Sequence, residues 1–241
     1  MLKKAFLFGL MFILFQSFGT ASGKDARTII TEVEKILTLE NIDSIQKMIV
    51  YRKDDSVRPY EMRVITSGKE KAFAEILEPP REKGRQMLKL GDVVWSYLPS
   101  VKKSIRVSGR GSFMGGDFEN NDVLRLDLIN DYQSKILEES SNYYILGLQG
   151  KDLSLSYAKI RLWVTKGDSQ PTKQEYFTIN DQLIKSTVYE NIRNFSGLKR
   201  PSTLVMQSAL SPKEKTILEI IKLEHGVKNP DSRFTRNELG K

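Results

Sequence analysis

Residues 106–122 read RVSGRGSFMGGDFENND, four glycines and two phenylalanines running into a burst of Asp, Glu and Asn. Three chemistries draw on such residues: a phosphate loop, a metal loop, or a glycine-hinged apolar segment. A Walker A loop needs Gly, four residues, then Gly-Lys-Ser/Thr, so that backbone N–H groups and the lysine surround the phosphates. Gly111 and Gly116 have that separation, but Asp117 stands where the lysine must be, and its charge repels phosphate. A dinucleotide turn of the form G-x-G-x-x-G fails at Met114. A nucleophile elbow, G-x-S-x-G, fails because Ser112 directly follows Gly111. DFENND sets Asp117, Glu119 and Asn121 at calcium-loop positions 1, 3 and 5, yet position 6 is Asp122 rather than glycine. Position 12, which should be a bidentate glutamate, is Leu128. Helix capping by Asp117, Asn120 or Asn121, just ahead of VLRLDL, accounts better for these residues.

Other catalytic groups are sparse. The chain has no cysteine, which excludes disulfides, thiol catalysis, Cys-based metal sites and a lipid-modified N-terminal Cys. His225 is the only histidine and sits in the charged run KLEHG, with no Ser or Asp partner suggested. Glu138 and Glu139 fall in turn-like sequence and read as solvated charge. No catalytic residue, metal or cofactor is expected.

The elements around this stretch are mostly strands. DARTIITEVEKIL repeats Ile29, Ile30, Val33, Ile36 and Leu37 at helical spacing behind the N-cap candidate Asp25. From residue 45 the pattern changes to period two. Tyr60, Met62 and Val64 share one face, as do Ile160, Leu162 and Val164, and Tyr144, Leu146 and Leu148; Phe177 and Ile179 alternate in KQEYFTI. Turn pairs Gly91-Asp92, Gly167-Asp168 and Asn180-Asp181 separate such runs, about eleven in all between residues 45 and 225. KTILEIIKLEH would also suit a helix through Ile217, Leu218 and Ile221, but its surroundings favour a strand. Short spacing implies an antiparallel meander, and so many strands must curl, close or split. The expectation is a mainly β (α+β) fold, a curled sheet whose concave side is covered by the helix and the glycine-rich loop.

The opening MLKKAFLFGLMFILFQSFGTASG joins two lysines to an apolar run from Ala5 to Phe15 and then small residues. That run is too short to span a bilayer, which takes about 20 residues, so residues 1–23 are expected to be a cleaved signal peptide and residues 24–241 one domain. The formal charge is +8, and Lys3 and Lys4 leave with the signal. A modest excess spread along the chain favours anionic headgroups or acidic partners over nucleic acid.

The flank EPPREKGRQMLKLGDVVWSYLPSVKKSIRVSGRGSFMGGDFENNDV resembles the outer-membrane lipoprotein-sorting, LolA-like family. The resemblance rests on Pro80 and Gly84 before a strand, the Gly91-Asp92 hairpin, Trp95-Ser96-Tyr97-Leu98-Pro99, the basic strand to Arg106, and GSFMGGDF with Asp122 following. Gly116 stands where a serine is common, and Ser104 interrupts the basic run. KIRLWVTKGDSQPTKQEYFTINDQLIKSTVYENI and the closing DSRFTRNELG are similar to the same family. What the resemblance implies is an incomplete antiparallel β-barrel wrapped around helices, with an apolar cavity for acyl chains. In that picture Trp95, Tyr97, Leu98, Phe113, Met114 and Phe118 line the cavity. Gly109, Gly111, Gly115 and Gly116 hinge a flap, or the loop is a static plug, and Lys102, Lys103, Arg106 and Arg110 meet headgroups or a partner. The implied protein is a periplasmic monomer that carries the acyl chains of a lipoprotein or lipid, touching membranes only peripherally. The alternative is a non-carrying subunit docked on an inner-membrane exporter of the resistance-nodulation-division type; an envelope hydrolase is a third, weaker option.

Overall fold

The computed structural model describes residues 24–38, 40–124 and 127–241; the expected signal peptide lies outside the described residues. Helix α1 spans Ala26–Leu37. Asp25 caps it as expected, its Oδ1 accepting from the Thr28 N–H at 2.7 Å. Ile29, Ile30 and Val33 are buried, so the apolar stripe faces the core.

Strands β1 (Ile42–Tyr51), β2 (Val57–Ser67), β3 (Lys71–Glu78), β4 (Gln86–Leu90), β5 (Val93–Leu98) and β6 (Lys103–Val107) form one meander. A connection carrying the short helices α2 (Asn120–Leu124) and α3 (Leu128–Asp131) leads to a second. That meander comprises β7 (Tyr132–Glu139), β8 (Tyr143–Gly150), β9 (Lys159–Thr165), β10 (Pro171–Phe177), β11 (Leu183–Phe195), β12 (Leu198–Ser208) and β13 (Lys215–His225). The order across the sheet is β6-β5-β4-β3-β2-β1-β13-β12-β11-β10-β9-β8-β7. Every pairing is antiparallel, and β6 and β7 are the two edges, so the barrel is open.

Thirteen strands exceed the eleven or so that pattern counting suggests. The edge strands bury almost nothing: β6 has no buried residue and β7 only Tyr132, so both leave a weak alternation. The ambiguous KTILEIIKLEH is β13, with Leu218 and Ile220 turned inward. One expected face is reversed. In β10 the buried positions are Pro171, Gln174 and Tyr176, while Phe177 is half-buried and Ile179 lies beyond the strand, exposed.

The two faces of the β2–β5 region bury different clusters. Val64, Ala74, Met87 and Val94 join the main core with α1. Ile65, Phe73, Leu88 and Trp95 form a separate patch on the opposite face, covered by Phe234 and Leu239 of the C-terminal segment. That segment is tied down along its length. Asn229 donates to the carbonyls of Ile42 and Thr66 (2.8 and 2.9 Å), Lys71 pairs with Asp231 (2.8 Å), and the Gly240 N–H donates to Gln86 (2.8 Å). The Arg236 guanidinium lies 3.9 Å from the Trp95 ring centroid, within cation–π range.

Glu34 of α1 is a buried carboxylate that sequence patterning did not single out. It pairs with Lys69 and accepts from the Ile129 N–H (2.9 Å), so it joins α1, the β2–β3 turn and the start of α3. Removing one partner of such a pair strands the other groups. Glu34→Ala is expected to lower unfolding free energy by about 2–3 kcal/mol. Urea denaturation checks this, and a loss under ~0.5 kcal/mol would remove Glu34 as a tie.

Candidate functional site

The glycine-rich segment lies folded against the inner face of the sheet. Phe113, Met114 and Phe118 are buried in the main core with α1. Its backbone is fixed by a Phe113 N–H to Phe118 carbonyl bond (2.8 Å) and by an Asn120 N–H to Gly111 carbonyl bond (2.8 Å). Side chains from distant strands hold it as well: the Asp117 N–H donates to Thr216 Oγ1 (2.8 Å), and Lys185 Nζ donates to the Asp117 carbonyl (2.7 Å). Gly115 has φ +73°, where a side chain is strained. A Cβ on Gly116 would sit 2.8 Å from Thr216 Oγ1 and 3.1 Å from Val50 Cγ2, so that glycine lets the segment touch β13 and β1. Gly109 and Gly111 pass close beneath Asn121 and Asn120. Packed this way, the segment plugs part of the concave core.

Beside the plug is a cavity of about 910 Å³, near the upper end of the ~300–1,000 Å³ range of small-molecule sites. Its rim includes Arg110 and residues 152–156, and Arg110 bonds the carbonyls of Ser154 (2.9 Å) and Leu153 (2.6 Å). One wall is apolar, from Leu204, Met206, Leu218, Ile220 and Leu223 of β12 and β13. Another is polar, from Gln174, Tyr176, Thr187, Tyr189 and Arg200 on β10, β11 and β12. The cavity is therefore amphiphilic rather than purely apolar.

Between plug and cavity sits a buried charge cluster. Lys185 Nζ is 3.6 Å from Glu119 and 3.9 Å from Asp122, and 5.0 Å from the Tyr157 ring centroid. The Tyr157 hydroxyl donates to Asp122 Oδ2 (2.7 Å), as does the Glu119 N–H (2.8 Å). Burial raises the carboxyls of Asp117, Glu119 and Asp122 above the usual range, against the pull of Lys185. Burial also pushes the Tyr157, Tyr176 and Tyr189 hydroxyls up, so all three stay protonated donors at neutral pH.

Of the six side chains expected in the cavity, only Phe118 lines it. Phe113 and Met114 pack in the core beside it. Trp95 and Tyr97 lie on the far face of the sheet, under the C-terminal segment: Trp95 packs with Phe234's cluster, and Tyr97 abuts Gly240. Leu98, at the end of β5, is half-buried and away from the lining. Of the four basic residues, Arg110 is at the rim, whereas Lys102, Lys103 and Arg106 are exposed on the β6 hairpin. His225 is exposed at the end of β13, 3.2 Å from the Ser196 carbonyl. The polar wall went unread. Its signal was a run of polar residues at inward positions of β10 to β12, where a buried face should read apolar.

The carboxyl cluster has a pH signature. A carboxyl whose folded pKa is raised holds its proton better folded than unfolded. Its favourable contribution is complete below the ordinary range, ~pH 4, and is lost as pH rises through the raised values. This cluster therefore weakens the fold between mildly acidic and neutral pH. Asp122→Asn cannot ionise and keeps an acceptor for Tyr157, so it should flatten that part of the stability curve. Urea midpoints from ~pH 4 to ~pH 8 check this, and a slope equal to wild type would exclude Asp122 as a source.

The structure and sequence have informative relatives. A LolA superfamily protein from Nitrosomonas europaea superposes with a TM-score of 0.80 at 29% identity, covering 90% of this chain and 100% of that chain. A domain named for outer-membrane lipoprotein sorting, from Vibrio parahaemolyticus, gives 0.78 at 21% identity, with 90% and 98% covered. A DUF1329 family protein from Desulfovibrio piger gives 0.78 at 20% identity, with 88% and 97% covered. No curated protein matches the chain. A family model described as an uncharacterized protein matches residues 68–241. The chain belongs to that family and has the fold of the LolA-like, outer-membrane lipoprotein-sorting proteins.

Proposed function

We propose that this chain is a periplasmic carrier or chaperone that holds the acyl chains of a lipoprotein or lipid and moves them across the envelope toward the outer membrane. It performs no chemistry in this reading. The observation that carries it is the cavity of about 910 Å³ left open beside a plug that already fills much of the concave core. Burying each CH₂ contributes about 0.8 kcal/mol, so a chain of ~14–16 carbons has about 11–13 kcal/mol to set against the cost of association. Residues 1–23 direct export, and residues 24–241 act as a single monomeric unit with peripheral membrane contact only.

One observation favours the second reading, a subunit docked on an inner-membrane exporter of the resistance-nodulation-division type. The β6 hairpin exposes Val101 (55%) and Ile105 (46%) beside Lys102, Lys103 and Arg106, a basic and apolar strand edge. Such edges accept partners. The two readings part at the cavity, since the docked subunit is non-carrying and only the carrier binds acyl chains.

Native mass spectrometry of protein purified without detergent, followed by lipid extraction, tests the carrier. Bound acyl species are expected. Leu204→Trp, which fills the apolar wall, should reduce their occupancy at least about tenfold while the melting temperature is kept. A ligand-free mass that also ignores added phospholipid and lipoprotein would leave the docking reading alone.

A further inference from the structure

The polar wall of the cavity contains a cation with no counter-charge among the described residues. Arg200 of β12 is 6% exposed and lines the cavity. Its Nη2 donates to the Leu37 carbonyl at 3.3 Å, and its Nε has no hydrogen-bond partner. Among the described residues no carboxylate pairs with it, and the residue directly across the β11–β12 ladder is another cation, Arg193. Burial lowers the Arg200 guanidinium to about 10, with Tyr189 the group that opposes this, so it is still charged at neutral pH. A buried charge without a partner is costly, and a ligand that supplies the counter-charge removes that cost.

The neighbours suit an anion. The Tyr189 hydroxyl donates to Gln174 Oε1 at 2.6 Å, which fixes the amide by its oxygen and leaves its NH₂ end as the donor. Tyr189, Gln174 and Arg200 all line the same cavity as Leu204, Met206, Leu218 and Ile220. Guanidinium with amide donors on one side, and hydrocarbon on the other, is the arrangement that an amphiphile with a charged end requires. Gln46 Oε1, also without a partner, adds one acceptor to the lining for a hydroxyl or ammonium on the same headgroup.

We propose that Arg200, with Gln174 and Tyr189, is an anion site inside the cavity that holds the phosphate or carboxylate of a bound amphiphile while its hydrocarbon lies along β12 and β13. The inference rests on the carrier reading and sharpens it. The cargo enters with a charged end, and the cavity ranks anionic lipids above neutral ones of equal chain length.

Calorimetric titration of delipidated protein tests it with four probes: palmitate, palmitoyl lysophosphatidylglycerol, the neutral monopalmitoylglycerol, and inorganic phosphate. Wild type is expected to bind the two anionic lipids at least about tenfold more tightly than the neutral one, the effect of a charge-assisted hydrogen bond. Arg200→Met should abolish that preference, bringing both anionic lipids to the affinity of monopalmitoylglycerol, and melt no lower than wild type, since it removes an unpaired buried charge. Arg200→Lys keeps the charge and serves if the methionine variant does not fold; it should retain part of the preference. Equal binding of neutral and anionic lipids, or a preference that survives Arg200→Met, would overturn the site while leaving the carrier intact. If no lipid binds, the carrier reading fails, and a headgroup site fails with it. Phosphate alone binding as tightly as the lysolipid, and depending on Arg200, would replace the headgroup by a free anion.

Discussion

The structure turns on how the chain gets from one edge of its sheet to the other. The first meander runs outward from β1 to β6, and the second begins at β7, on the opposite edge of a thirteen-stranded sheet. The connecting segment has to cross between these edges, and the concave side offers it a path where apolar side chains are buried. Phe113, Met114, Phe118, Leu124 and Leu128 all belong to the main core, so the crossing segment is part of the interior. This explains why glycine is needed there. Gly116 brings the segment within contact of Thr216 and Val50, close to the middle of the sheet, where any side chain would hold it off.

A crossing segment that must be hydrogen-bonded inside a core brings polar atoms with it. Asp117, Glu119 and Asp122 meet a single lysine, Lys185, reaching in from β11. The cost of burying these groups is visible in their raised carboxyls. The same interior then has two characters, apolar along β13 and at Leu204 and Met206 of β12, polar along β10, β11 and at Arg200 of β12, and the cavity is lined by both. Its amphiphilic lining comes from inward polar residues of β10 to β12 beside the apolar side chains of β12 and β13.

Much of the fold was legible from pattern. Alternation in YEMRVI and KIRLWVT gave strands with the correct inward face, because these strands sit between two others with one face against the core. Asp25 and the stripe of α1 were readable because capping and helical period are local. The side of the sheet on which Trp95 lies was not. It depends on a C-terminal segment more than a hundred residues away, and an aromatic residue is equally at home beneath either cover. Arg200 and Gln174 were missed for a related reason. In sequence a polar residue at an inward position looks like an outward one, so alternation assigns the wrong face, as it did for Phe177 and Ile179. The segment's apolar side chains and glycines were legible, but the packing of Gly116 and Asp117 against β13 was not, because it depends on a strand about a hundred residues away.

The pairing of β1 with β13 joins Ile42 to His225 at the centre of the sheet. Strands made nearly two hundred residues apart thus form the seam on which both meanders lean. A ribosome or a translocation pore delivers β1 first and β13 near the end. For most of that passage β1, with Met48 and Val50 on its buried face, is a bare edge next to an assembled half-sheet. Contacts so distant in sequence form slowly, and unpaired edges recruit strands from other chains. Biogenesis of this protein is therefore exposed to intermolecular pairing until its last strand arrives, and a holdase that shields β1 would raise yield without altering the finished molecule.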